Sequence, residues 1–235
     1  MAKNNPFKNR PEDFINKGMK AAISSLPVVG GTAAEFFNFV VGDPAQERRD
    51  DFLTATHNRL IDLEDQFDAL RPEKLRDNEQ FQATVVQAVR IASTTASAEK
   101  KKLLQNAILN SAFGTVDEFY RELFVRLLED IQPEHVVYLH YLDNPKAYPA
   151  AVEAAKNIYM GARSNVVEKS LPQLTNDKAR FARVSSDLHR MGLADTSSMN
   201  SMMTGGDGML TRITTDVGRS FLKFVSEPGS DQPPV

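Results

Sequence analysis

Residues 45–70 read AQERRDDFLTATHNRLIDLEDQFDAL. Leu53, Thr56, Leu60, Leu63, Phe67 and Leu70 recur at 3-4-3-4-3 spacing, and charged residues fill the positions between them. That pattern is an α-helix with one apolar seam. The seam covers only about two and a half heptads, which suits a helix inside a bundle better than an independent coiled coil. Arg71-Pro72 ends it, because a residue before proline is pushed out of the helical region.

The same period continues downstream. Phe81, Val85, Ala88, Val89 and Ala92 share a face over 79–97, and Leu103, Leu104, Ala107, Ile108 and Ser111 over 98–112, with Gly114 as the stop. Thr115-Val-Asp-Glu118 reads as a capping box before a stripe of Phe119, Leu123, Leu127 and Ile131, widened by Phe124 and Leu128. The fold class is therefore mainly α, with a helical bundle over 17–131 and a flexible stretch over 1–16.

The most apolar segment is SLPVVGGTAAEFFNFVV, residues 25–41. A membrane-spanning helix needs about 20 predominantly apolar residues. Pro27, Gly30, Gly31, Glu35 and Asn38 interrupt this one, and Thr32 with Glu35 forms a capping box. The segment parses as two short helices around a Pro-Val-Val-Gly-Gly turn. The second is apolar nearly all round, so it must be buried against something. Core packing is one destination. A partner or membrane surface is the other, contacted by Ile23, Leu26, Val28, Val29, Phe36, Phe37, Phe39 and Val40, with Lys3, Lys8, Arg10, Lys17 and Lys20 at anionic headgroups.

Composition excludes several classes of activity. With no cysteine, disulfides, thiolate metal sites and cysteine nucleophiles are ruled out. The net charge of −3 gives no overall attraction to nucleic acid or anionic lipid, so any such contact must be local. His57, His135, His140 and His189 form no metal-ligand spacing, the glycine pairs carry no phosphate-loop lysine, and there is no Gly-x-Ser-x-Gly. No catalytic residue, metal site or cofactor is expected, and a non-enzymatic role follows.

Beyond Pro133 the pattern changes. PEHVVYLHYL is a helix, a short one follows near 147–160, and another runs from about 177 to 191 with Gly192 just beyond its end. ADTSSMNSMMTGGDGMLTRIT reads as two weak strands around a glycine-rich tip, carrying Met199, Met202, Met203 and Met209. Those methionines suit either a loop folded onto the core or a partner-binding tip. Thr214 or Thr215 caps a last helix with Val217, Phe221, Phe224 and Val225 inward, and 227–235 is a polar tail expected to be disordered.

This order, with Leu188, Gly192, Leu193, Thr215, Gly218, Phe221 and Leu222 at the matching positions, resembles a winged-helix module over 133–226, in which the glycine-rich stretch is a small β-hairpin. The resemblance implies an alternative function as a DNA-binding regulator. Lys178, Arg180, Arg183, His189 and Arg190 would enter the major groove, with Arg212 and Arg219 at phosphates. EKKKLLQNAILNS and LLEDIQPEHVVYLHYL make the whole chain similar to helical bacterial phage-defence proteins of the abortive-infection alpha family. That likeness implies a bacterial cytoplasmic protein, peripherally membrane-associated in one form, acting in growth arrest or cell suicide. It also implies a protein partner or a homo-oligomer, and carries no catalytic residues.

Overall fold

The structure is a computed structural model, and it describes residues 44–114 and 116–229. Its helices are α1 (Pro44–Glu64), α2 (Pro72–Arg76), α3 (Glu79–Thr94), α4 (Ala98–Ser111), α5 (Glu118–Asp130), α6 (Pro133–Asp143), α7 (Pro149–Lys156), α8 (Arg163–Ser170), α9 (Pro172–Thr175), α10 (Lys178–Arg190) and α11 (Asp216–Val225). Two short strands, β1 (Met160–Gly161) and β2 (Met203–Thr204), complete the described elements. The fold is mainly α, as the helical periodicities require.

The starts of α3, α4, α5, α10 and α11 are each set by a small polar residue that satisfies an otherwise orphaned N–H. The side chain of Asn78 accepts from Phe81 N at 2.9 Å, Ser97 from Lys100 N at 3.1 Å, Asp177 from Arg180 N at 3.0 Å and Thr215 from Gly218 N at 2.9 Å. At α5 the cap is Asp117, which accepts from Phe119 N at 2.9 Å, so the helix starts two residues later than a Thr115 box would place it. Gly192 ends α10 at φ +69, with Leu193 N donating to Leu188 O and Gly192 N to His189 O. This is the paired arrangement of a glycine helix stop, and both leucines are fully buried beneath it.

The first helix departs from the expected seam in two ways. Phe52, not Leu53, is the buried anchor at 1% exposure. The helix also stops at Glu64 rather than running to Leu70, and residues 68–70 form a 3-10 turn. The break lets Phe67 meet the Phe113 ring edge-on, at 5.3 Å, and seats Leu70 in a small cluster with Leu109 and Ala112. A straight helix would carry Phe67 and Leu70 past that cluster, so apolar burial outweighs the lost turn.

α3 packs against both α1 and α4, and α11 returns across α4, α5 and α6. One core therefore runs from Phe52 through Phe124, Leu128, Tyr138 and Leu188 to Phe221 and Phe224. Asn106 and Asn110 of α4 fasten the end of α11. The Asn106 side chain donates to Val225 O at 2.8 Å, and that of Asn110 reaches the carbonyls of Lys223, Phe224 and Ser226 at 2.8–3.1 Å. Those carbonyls are the ones a helix C-terminus leaves unpaired. Arg59 of α1 joins them, donating to Gln105, Asn106 and Glu227.

The glycine-rich segment corrects an expectation. Its two halves were to pair with each other as a hairpin; instead β2 pairs antiparallel with β1, Met160 opposite Thr204 and Gly161 opposite Met203. The ends of the segment meet only at a single bridge, Ala194 to Thr214. The glycines serve close backbone approach rather than a tip. Gly205 N and Gly206 N donate to Tyr159 O and Ala155 O at 3.0 and 3.1 Å, and a Cβ on Gly205 would lie 1.5 Å from Ile158 O.

Candidate functional site

The eight apolar residues proposed for partner or membrane contact, Ile23, Leu26, Val28, Val29, Phe36, Phe37, Phe39 and Val40, lie outside the described residues. So does the capping box at Thr32. Among the described residues no helix is long and apolar enough to cross a membrane.

The basic set is brought together on α10. Lys178, Arg180, Arg183, His189 and Arg190 are all exposed there, and Arg212 is exposed on the loop before α11. Their charge is largely spent within the chain. Asp187 is only 8% exposed, and it accepts from Arg183 Nε at 2.8 Å and from Arg190 Nη2 at 3.1 Å. Burial opposes ionisation of Asp187, but the hydrogen bonds and charges of the two arginines outweigh it and hold its carboxyl below the usual range. Arg180 pairs with Glu134 at 3.4 Å, and His189 Nδ1 lies 3.6 Å from Asp195. Arg219 sits 3.9 Å from both Asp143 and Asp216.

Asp187 also reaches inward. His135 of α6 is buried, its Nδ1 accepts from Gln132 N at 3.1 Å, and its Nε2 lies 3.6 Å from Asp187. With Nδ1 accepting, the neutral ring carries its proton on Nε2, facing the carboxylate. Burial lowers the His135 pKa despite that carboxylate. The Arg183–Asp187–Arg190 part of this cluster is legible as i, i+4 and i, i+3 spacing on one helix. The approach of His135 from another helix has no signal in sequence.

Other buried polar groups mark packing between the helices. Lys100, 4% exposed, donates from Nζ to Glu129 O at 2.7 Å and so ties the start of α4 to the end of α5. Arg121 is equally buried; its Nη2 stands 4.0 Å from Glu118 and Glu122, while Nε and Nη1 meet no hydrogen-bond partner. His140 Nε2 is buried without a partner, and burial lowers its pKa to about 4.

A shallow cleft of about 10 Å³ lies between α6, α8 and the loop before α11, bordered by Tyr141, Val167, Met199, Met209 and Ile213. Arg163 lines it, but its guanidinium is turned to Thr211 and Gly208 O and staples that loop. Among the described residues no three His, Cys, Asp or Glu side chains converge as a metal site. Of the four loop methionines, Met199 and Met209 are buried, Met203 is half-buried and Met202 faces solvent.

No protein-family model, curated protein or solved structure matches this chain.

Proposed function

We propose that this is a non-enzymatic interaction protein of the bacterial abortive-infection type. In this reading residues 23–41 form a contact element for a protein partner or a membrane surface, and residues 44–229 form the body that carries it. The supporting observation is that a hydrophobic core within residues 44–229 runs from Phe52 to Val225. The segment with Phe36, Phe37 and Phe39 precedes that body, and its apolar surface is suited to contact elsewhere. Burying each phenylalanine contributes about 1.5–3 kcal/mol.

Flotation with anionic liposomes tests the membrane form of the reading. Full-length protein should float and a chain starting at Asp43 should not, while keeping its helical circular dichroism. If neither floats and the shortened chain is unfolded, the segment is core and the reading fails.

The C-terminal half carries a second reading, as a winged-helix-like module. It draws support from the Gly192 turn, the Ala194–Thr214 bridge and the Thr215 cap, which follow one another as they do after a recognition helix. The charge balance favours a protein over a nucleic-acid partner for it. Arg180 pairs with Glu134, Arg183 and Arg190 share Asp187, and Arg219 lies beside Asp143 and Asp216. A phosphate-tracking surface needs a cationic excess. Duplex DNA binding that falls steeply with salt and is abolished by R180E/R183E would restore the DNA-binding alternative.

A further inference from the structure

The chain has eight methionines and no cysteine, so thioethers are its only readily oxidised sulfur. Five of the eight fall between residues 191 and 209. The small sheet sorts the nearby ones into two environments. Met160 of β1 is opposite Thr204 on one face of the sheet, and Met202 directly precedes β2. Met160 and Met202 are 57% and 68% exposed, and Tyr159 beside Met160 is 89% exposed. The other face is closed: Gly161 is buried against Ile158 and Met209, with Met199 and Met209 at 5% and 3% exposure.

We propose that Met160 and Met202 form an oxidation site for hydroperoxides, which turns an apolar surface into a polar one while the buried methionines stay reduced. The thioether sulfur attacks one peroxide oxygen as the O–O bond breaks. Sulfur loses two electrons and becomes a sulfoxide, and the peroxide is reduced to water or an alcohol. The β1–β2 pairing uses backbone groups alone, so the added oxygens leave the sheet intact and change only the surface it presents. Tyr159, Met160 and Met202 are exposed at the sheet, and sulfoxide formation makes that surface more polar.

The test uses the full chain, hydrogen peroxide as the probe and peptide mass mapping over time. Met160 and Met202 should each gain one oxygen at least about tenfold faster than Met199 and Met209, following exposure. Helical circular dichroism should be unchanged and elution from a phenyl matrix earlier. Equal rates, earlier reaction at Met199 or Met209, or loss of helix before Met160 and Met202 are converted would overturn the proposal. The variant M160L/M202L keeps the surface apolar and should elute identically with and without peroxide. If its retention still falls, the responsive sulfur lies elsewhere and the assignment is wrong.

Discussion

The ring of Phe124 meets that of Phe221 edge-on, with centroids 5.5 Å apart and planes at 77°. One residue belongs to the helical run read from the first half of the chain, the other to the last helix, and both are fully buried. Phe221→Ala should therefore destabilise the whole described body by about 3–5 kcal/mol, the cost of a large aromatic cavity. Urea unfolding followed by circular dichroism should show one transition moved to lower denaturant. Two separate transitions, with the first half unaffected, would show that the halves are energetically independent.

Asn110→Ala removes the amide that serves three carbonyls at the end of α11. The expected cost is about 1–3 kcal/mol, since partly buried acceptors lose their donor. Hydrogen exchange should quicken first in residues 221–225, before α3 or α4 responds. Uniform quickening across all helices would mean the clamp has no local role.

Gly218→Ala should not fit. A Cβ there would lie 2.0 Å from Leu193 O, so the start of α11 must shift away from the Gly192 turn. Overpacking of this kind costs about 1–3 kcal/mol. The melting temperature should fall, and Gly208→Ala, which meets only the end of Met203 at 3.7 Å, should leave it nearly unchanged. Equal effects at the two positions would remove the steric explanation.

Replacing Asp187 with Asn deletes the carboxylate shared by Arg183 and Arg190. The variant should bind a cation-exchange matrix or heparin more tightly than the native chain, because α10 gains an unbalanced positive charge. Unchanged retention would show that the arginines are not held in check by Asp187 in solution.

Acid should weaken the fold below neutrality. Burial lowers the folded-state pKa of His140 to about 4 from an ordinary 6.5, and the nearby Asp143 only partly opposes it. The unfolded chain then binds this proton more readily, so stability falls as pH drops from about 6.5 to about 4 and levels off below. The upper bound of the loss is about 3 kcal/mol. His135 is shifted in the same direction by burial. Urea midpoints taken across this range should decline for the native chain and decline less steeply in His140→Gln, where only the His135 contribution remains.

The helices and caps are legible because their signals are local. Thr215 stands where α11 begins and Gly192 where α10 ends, whereas Thr115 stands two residues before the cap that α5 uses, and Ser97, read within a helix over 79–97, opens α4 instead. The break after Glu64 is not legible, since its cause is the Phe113 ring, distant in sequence from Phe67. The same holds for β2, whose partner β1 lies across three helices of intervening chain and is only two residues long. Glycines at 205 and 206 look like a hairpin tip until the Ile158 carbonyl is seen beneath them. The basic face of α10 and its pairing with Asp187 are legible as helical spacing, while the pairing of Arg180 with Glu134 depends on α6.

The fastening of α11 by Asn106 and Asn110 has a consequence for synthesis. The ribosome makes α4 and α5 well before it makes residues 216–225, so the emerging chain carries Phe124 and the two asparagines without their counterpart. Translation must pass Ser226 before the aromatic layer can close. A message cut short upstream of that point yields a product with an open, apolar groove, a form that chaperones and proteases recognise. Completion of the fold thereby reports that translation has passed the end of α11.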